Sequence, residues 1–142
     1  ETVLIVDDEA MLRDLLRRIL EREGYSVLVA ASGPAALDKV LGYAGRLDLL
    51  LTDVMMPEMN GVELAGKLAS IRRGLPVLFM SGYEERIVAP TGVLADGVAF
   101  LEKPFRMEDA LKAVRQGLDT NRRVVRARAA ASDPDDFAVH TP

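Results

Sequence analysis

Five short apolar runs constrain this chain more than any other feature: Val3–Val6, Val27–Ala30, Leu47–Leu51, Val77–Met80 and Val98–Leu101. Each is about the length of a strand, and its apolar residues follow one another instead of alternating with polar ones. Such strands are buried on both faces, as happens where helices cover both sides of a parallel sheet. The sequence between the runs carries helical periodicity. Leu12, Leu15, Leu16, Ile19 and Leu20 form one apolar stripe, with Arg13, Asp14, Arg17 and Arg18 opposite. Leu37, Val40, Leu41 and Ala44 form a second, Val62, Ala65 and Leu68 a third, and Leu111, Val114 and Leu118 a fourth. Gly24, Gly45 and Gly74 stand where helix C-termini are expected. Residues 83–97 contain Pro90, Gly92 and Gly97, which predicts a short or irregular helix there. The order β-α-β-α-β-α-β-(α)-β-α predicts a doubly wound α/β domain with a parallel sheet and helices on both faces.

At 142 residues and 49% hydrophobic content, the chain has apolar material for one domain with a real core. It has no cysteine, which excludes disulfides, thiol catalysis and cysteine-based metal sites. Its one histidine, His140, lies two residues from the C-terminus, so the chemistry of this chain must run on carboxylates, hydroxyls, lysine and arginine. The formal charge of −4 argues against a generally basic nucleic-acid binder. Residues 119–142 hold four arginines and four aspartates, so the excess acidity belongs to residues 1–118. Helical character is expected to continue from Arg122 to Ala131, and Asp133-Pro134-Asp135-Asp136 reads as the start of a loose tail. The expected division is a folded domain over 1–118 and a helical extension with a flexible tail or linker over 119–142. No apolar run approaches the ~18 residues of a membrane span, and a cytoplasmic location without membrane contact is expected. The absence of an initiator methionine reads as a piece cut from a longer protein.

In doubly wound sheets, ligands bind outside the carboxyl ends of the strands. Those ends read Asp7-Asp8-Glu9 after the first run, Thr52-Asp53 after the third, Ser81-Gly82 after the fourth and Glu102-Lys103-Pro104 after the fifth. Each has an ordinary structural reading by itself: Asp8 as a helix cap, Asp53 in a turn, Ser81-Gly82 as a turn dipeptide. Together they bring three carboxylates, a hydroxyl and an ammonium to one edge of one sheet. Crowded carboxylates repel one another, and a hard divalent cation such as Mg²⁺, held by one or two carboxylates plus water, relieves that repulsion. With the metal in place Asp53 is suited to attack phosphorus, with Lys103 and Ser81 taking the phosphoryl oxygens.

Four segments make the pattern familiar: Val3-Leu4-Ile5-Val6-Asp7-Asp8-Glu9, Leu51-Thr52-Asp53-Val54-Met55-Met56-Pro57-Glu58-Met59-Asn60-Gly61, Met80-Ser81-Gly82 and Phe100-Leu101-Glu102-Lys103-Pro104-Phe105. In order and placement they resemble a response-regulator receiver domain over about residues 1–118. The resemblance implies a flavodoxin-like five-stranded sheet in the order 2-1-3-4-5. It implies that Asp53 accepts a phosphoryl group from a histidine kinase or histidine phosphotransfer protein, in a signalling domain that catalyses its own phosphorylation and dephosphorylation. Asp8, Asp53 and the Met55 backbone carbonyl would bind Mg²⁺ directly, and Asp7 through metal-bound water. Ser81 and Lys103 would hold the phosphoryl oxygens, and Phe100 matches a switch aromatic that turns inward as Ser81 moves. Pro104 matches a proline after a cis peptide. Met55 and Tyr83, two residues beyond Asp53 and Ser81, flank the path of attacking water and would tune dephosphorylation. Ser81 and Phe100 stand where threonine and tyrosine are commoner. The wording around Ser81 and Lys103 looks most like receivers of hybrid sensor kinases, and an output domain is expected in a longer parent chain.

Three other readings compete. A docking module that never turns over phosphate would not need the intact acidic set. A phosphatase of the haloacid-dehalogenase type needs a second carboxylate two positions after the nucleophile, where this chain has Met55. A DNA-binding regulator would rely on Arg122, Arg123, Arg126 and Arg128, which without a recognition motif read as a solvated helix.

Overall fold

The computed structural model describes residues 1–82 and 99–131, with side chains described through residue 120. The elements are β1 (Thr2–Val6), α1 (Ala10–Arg22), β2 (Ser26–Ala30), α2 (Gly33–Leu41), β3 (Leu49–Asp53), α3 (Gly61–Ile71), β4 (Val77–Ser81), β5 (Ala99–Glu102) and α4 (Met107–Ala131). The irregular helix expected over 83–97, Tyr83 and the tail beyond Ser132 lie outside the described residues.

The strands form one five-stranded sheet in the order β2-β1-β3-β4-β5, and every pair is parallel. This is the doubly wound arrangement that the apolar runs predict. Central strands β1 and β3 are buried at all five positions, whereas the edge strands β2 and β5 are partly open. Side chains alternate between two cores. Val3, Ile5, Leu49, Leu51, Leu78 and Met80 pack under α1 and α4, against Leu16, Leu20, Ala110, Val114 and Leu118. Leu4, Val6 and Leu50 point the other way, under α2 and α3, against Ala36, Val40, Leu64 and Leu68. The Lys39 ammonium donates to the Val29 carbonyl at 2.7 Å, placing a cation over the β2 edge and blunting it as a pairing template.

Three expectations shift. The strand expected at Leu47–Leu51 is Leu49–Asp53, which carries Asp53 itself to the end of the ladder. Leu15 and Leu41, expected in apolar stripes, are 43% and 68% exposed. The buried face of α1 narrows to Leu16 and Leu20, and α2 ends at Leu41, so Ala44 lies beyond it. Gly42, not Gly45, follows α2, and its N–H closes the last turn on the Asp38 carbonyl. Gly45 belongs to the next loop, which Arg72 pins by donating to the Tyr43 and Gly45 carbonyls.

The β3–α3 junction depends on a close approach. Asn60 caps α3 by accepting from the Glu63 N–H at 2.8 Å, and the Glu63 carboxylate returns to the Asn60 N–H, closing a capping box. Gly61 then lies against the end of β3, donating its N–H to the Val54 carbonyl at 2.7 Å. A Cβ there would sit 2.2 Å from the Asp53 carbonyl oxygen. A Cβ added at Gly66, inside the same helix, would meet nothing within 4 Å. Gly61→Ala is therefore expected to destabilise the fold by about 3 kcal/mol, because backbone must move. Gly66→Ala should stabilise it by about 0.5–1 kcal/mol through helix propensity. Urea denaturation of both variants checks the contrast; equal effects would remove the steric account of Gly61.

Candidate functional site

Register brings the acidic residues together. Val6 pairs with Thr52, so the next residues, Asp7 and Asp53, leave adjacent strands side by side. Asp53 is itself paired with Met80, which places Ser81 one residue further along the neighbouring strand. Ser81 in turn pairs with Glu102, and the Lys103 N–H donates to the Ser81 carbonyl at 2.8 Å. Four strands thus deliver Asp7, Asp53, Ser81 and Lys103 to one edge, with Asp8 following Asp7. The Lys103-Pro104 peptide is cis.

Asp7 is fully buried and Asp53 is 5% exposed, while Asp8 faces solvent. One carboxylate oxygen from each of the three lies within 4.8 Å of the other two. The Lys103 ammonium spans the two buried carboxylates, 3.3 Å from Asp7 Oδ2 and 3.3 Å from Asp53 Oδ2. Asp7 Oδ1 accepts the Glu9 N–H at 2.8 Å, so both oxygens of Asp7 are engaged by the protein. Ser81 Oγ is buried and has no hydrogen-bond partner among the described residues, a state that costs free energy. The alternative role for Asp8 does not hold: Glu9, not Asp8, occupies the N-cap of α1.

The donor set fits a hard cation. Three carboxylates and one ammonium leave a formal charge of −2, and the offered ligands are all oxygen, as Mg²⁺ prefers. Asp7, Asp8 and Asp53 each offer one carboxylate oxygen to such an ion. Met55 follows at the rim, 48% exposed. Phe100 is half-buried, its ring 5.9 Å from Phe79 and tilted by 38°. Sequence reasoning missed Arg13, assigned there to a solvated face. Its guanidinium donates to the Asp7 carbonyl at 2.7 Å.

Burial works against the Lys103 ammonium, but the Asp53 and Asp7 carboxylates outweigh it and hold the amine above the ordinary lysine value. A raised folded value means that the ammonium stabilises the fold fully below the unfolded lysine value, near ~10.4, and loses that contribution as pH rises through the folded value. Lys103→Met is therefore expected to melt below wild type at pH 7–9 without metal, and the gap should narrow above about pH 10.5. Melting curves across that range test the pairing, and a gap independent of pH would contradict it.

Comparison with known proteins agrees with this architecture. Residues 3–115 match the family model described as response regulator receiver domain. The response regulator MprA of Mycobacterium avium strain 104 is 37% identical over 113 residues, which is 80% of this chain and 49% of that protein. The chain thus spans about half the length of the curated relatives it matches. Among solved structures, a CheY-like response regulator receiver domain protein from Methanospirillum hungatei superposes with a TM-score of 0.72 at 32% identity, covering 87% of this chain and 97% of its own. The receiver domain of the hybrid histidine kinase CckA gives 0.69 at 35% identity, covering 83% and 99%. With its sheet order, its strand-end acidic cluster and a family match over most of its length, this chain belongs to the response regulator receiver domains.

Proposed function

We propose that this domain is a Mg²⁺-dependent phosphoacceptor in a two-component phosphorelay, with Asp53 as the residue that takes the phosphoryl group. The observation that carries this reading is the convergence of three carboxylates within 4.8 Å beside a bridging lysine and a buried, unpartnered serine hydroxyl. In this reading a carboxylate oxygen of Asp53 attacks the phosphorus of a phosphohistidine in line with the leaving imidazole. A P–O bond forms, the P–N bond breaks, and the imidazole nitrogen leaves with the electron pair and takes a proton. The product is an acyl phosphate on Asp53. Asp8, Asp53 and the Met55 carbonyl would hold Mg²⁺, which supplies positive charge against the phosphoryl oxygens. Lys103 neutralises a further oxygen, moving from its place between Asp7 and Asp53, and Ser81 Oγ donates to another. The unpartnered hydroxyl supports that role, because an oxyanion would satisfy it.

Phosphorylation adds about −1.5 to −2 charge units at the end of β3. We assign the readout to Ser81 and Phe100, on adjacent strands β4 and β5, with Ser81 drawn towards the phosphoryl group and Phe100 repacking against Phe79. Met55 and Tyr83 set the access of hydrolytic water. The partner is a histidine kinase or phosphotransfer protein in the cytoplasm, and the parent chain carries an output or kinase domain. Residues 1–118 act as the receiver, and residues 119–142 as its extension and linker. The docking-only reading has no observation in its favour.

Two measurements test this reading. Incubation with Mg²⁺ and acetyl phosphate should add one phosphoryl group to wild type and none to Asp53→Asn, read by intact mass. Labelling of both proteins, or of neither, would favour a docking module. Mg²⁺ at 100 times its Kd should stabilise wild type by about 2.7 kcal/mol, since it binds only the folded state. Thermal melts of Asp8→Ala should lose most of that shift, and an equal shift in both proteins would remove Asp8 from the metal site.

A further inference from the structure

We infer that Arg13 is a positioning residue for the Asp7-Asp8 turn and thereby sets the affinity of the acidic site for a divalent cation. This rests on the metal-site reading proposed above. Arg13 lies on α1 among residues whose charges pair along the helix surface: Arg17 and Arg18 both bind Asp14, and Arg17 also binds Glu21. Arg13 does something different. It is half-buried, and one guanidinium nitrogen donates to the Asp7 carbonyl at 2.7 Å, six residues back along the chain.

That carbonyl is a sensitive point to hold. Asp7 is the first residue past the end of β1, and its N–H reaches the Ala30 carbonyl at 3.3 Å, a long last rung of the β1–β2 ladder. Beyond that rung the sheet no longer orients the backbone. The peptide joining Asp7 to Asp8 is planar, so fixing its C=O also fixes the N–H of Asp8 and the direction in which the chain carries the Asp8 side chain. Asp7 itself is held at its carboxylate by the Glu9 N–H and Lys103. Asp8 faces solvent, and no hydrogen bond of its carboxylate constrains it among the described residues. Its placement against Asp53 therefore depends on the peptide plane that Arg13 grips. A charge-assisted hydrogen bond of this length is about twice as strong as a neutral one.

Charge and position make opposite predictions. If Arg13 acted only through its positive charge, it would repel a bound cation, and removing it would tighten binding. If it acts by orienting the Asp7-Asp8 peptide, removing it weakens binding. The test is calorimetric titration of Mg²⁺ alone into wild type, Arg13→Met and Arg13→Lys. Methionine keeps an apolar stem over α1 but no donor; lysine keeps a donor and the charge. The expected result is a Kd about 10-fold weaker, or more, for Arg13→Met. Arg13→Lys should restore most of the wild-type affinity, and metal-free melting of the Met variant should stay near wild type. Unchanged or tighter binding by Arg13→Met would overturn the inference, as would a lysine variant as weak as the methionine one. Collapse of the metal-free fold in Arg13→Met would assign the residue to stability instead and overturn it equally. Asp8→Ala separates the two claims. If wild type binds Mg²⁺, Asp8→Ala does not, and Arg13→Met equals wild type, only the role of Arg13 fails. If wild type does not bind, the metal site fails with it.

Discussion

Crowding of like charge at the carboxyl edge of the sheet is the constraint on which the rest of this structure depends. Asp7 and Asp53 leave neighbouring strands in register, both nearly excluded from solvent, and Asp8 stands beside them. Buried carboxylates persist only when something pays their desolvation. Lys103 does so, reaching both from the end of β5 at 3.3 Å. Its placement explains why the outer strand of the sheet must pair as it does: the Lys103 N–H is fastened to the Ser81 carbonyl immediately past the β4–β5 ladder. The arrangement still leaves two formal negative charges and a serine hydroxyl without a partner among the described residues. Those features support the proposed binding of a cation and an oxyanion at this edge.

The scaffold gives that edge its rigidity. Strands β1 and β3 are buried along their whole length, so the residues that follow them inherit fixed positions. On one side, α3 is brought against the end of β3 by the Asn60–Glu63 capping box and by the absence of a side chain at Gly61. On the other, the start of α1 is tied back to the Asp7 carbonyl through Arg13. Both helices thus meet the site through the backbone of an acidic strand end.

Much of this was legible in the sequence, for identifiable reasons. Unbroken apolar runs can be buried only between two helical layers, so strand number, parallel pairing and the edge that collects Asp7, Asp53, Ser81 and Lys103 all follow from them. What was misread depends on angles and distances that periodicity does not carry. Leu15 and Leu41 fit an apolar stripe by spacing, yet lie at its margin and at a helix end, where they stay exposed. Gly45 looked like a helix terminus, but the helix had already closed at Gly42, and Arg72 holds Gly45 in a loop. Arg13 has the spacing of a surface residue and is drawn inwards by a backbone carbonyl, which leaves no trace in a pattern of side chains. The Asn60-x-x-Glu63 capping box, by contrast, does carry a side-chain signature in the sequence.

In the proposed function the sheet edge makes Asp53 a metal-dependent phosphoacceptor. Reductive trapping tests it most directly. Borohydride converts an acyl phosphate to a primary alcohol, so a phosphorylated aspartate becomes homoserine and is located by tandem mass spectrometry. After incubation with acetyl phosphate, the account predicts homoserine at position 53 alone, formed with Mg²⁺ and suppressed by EDTA. Homoserine at position 7 or 8, or equal conversion at position 53 without metal, would contradict it.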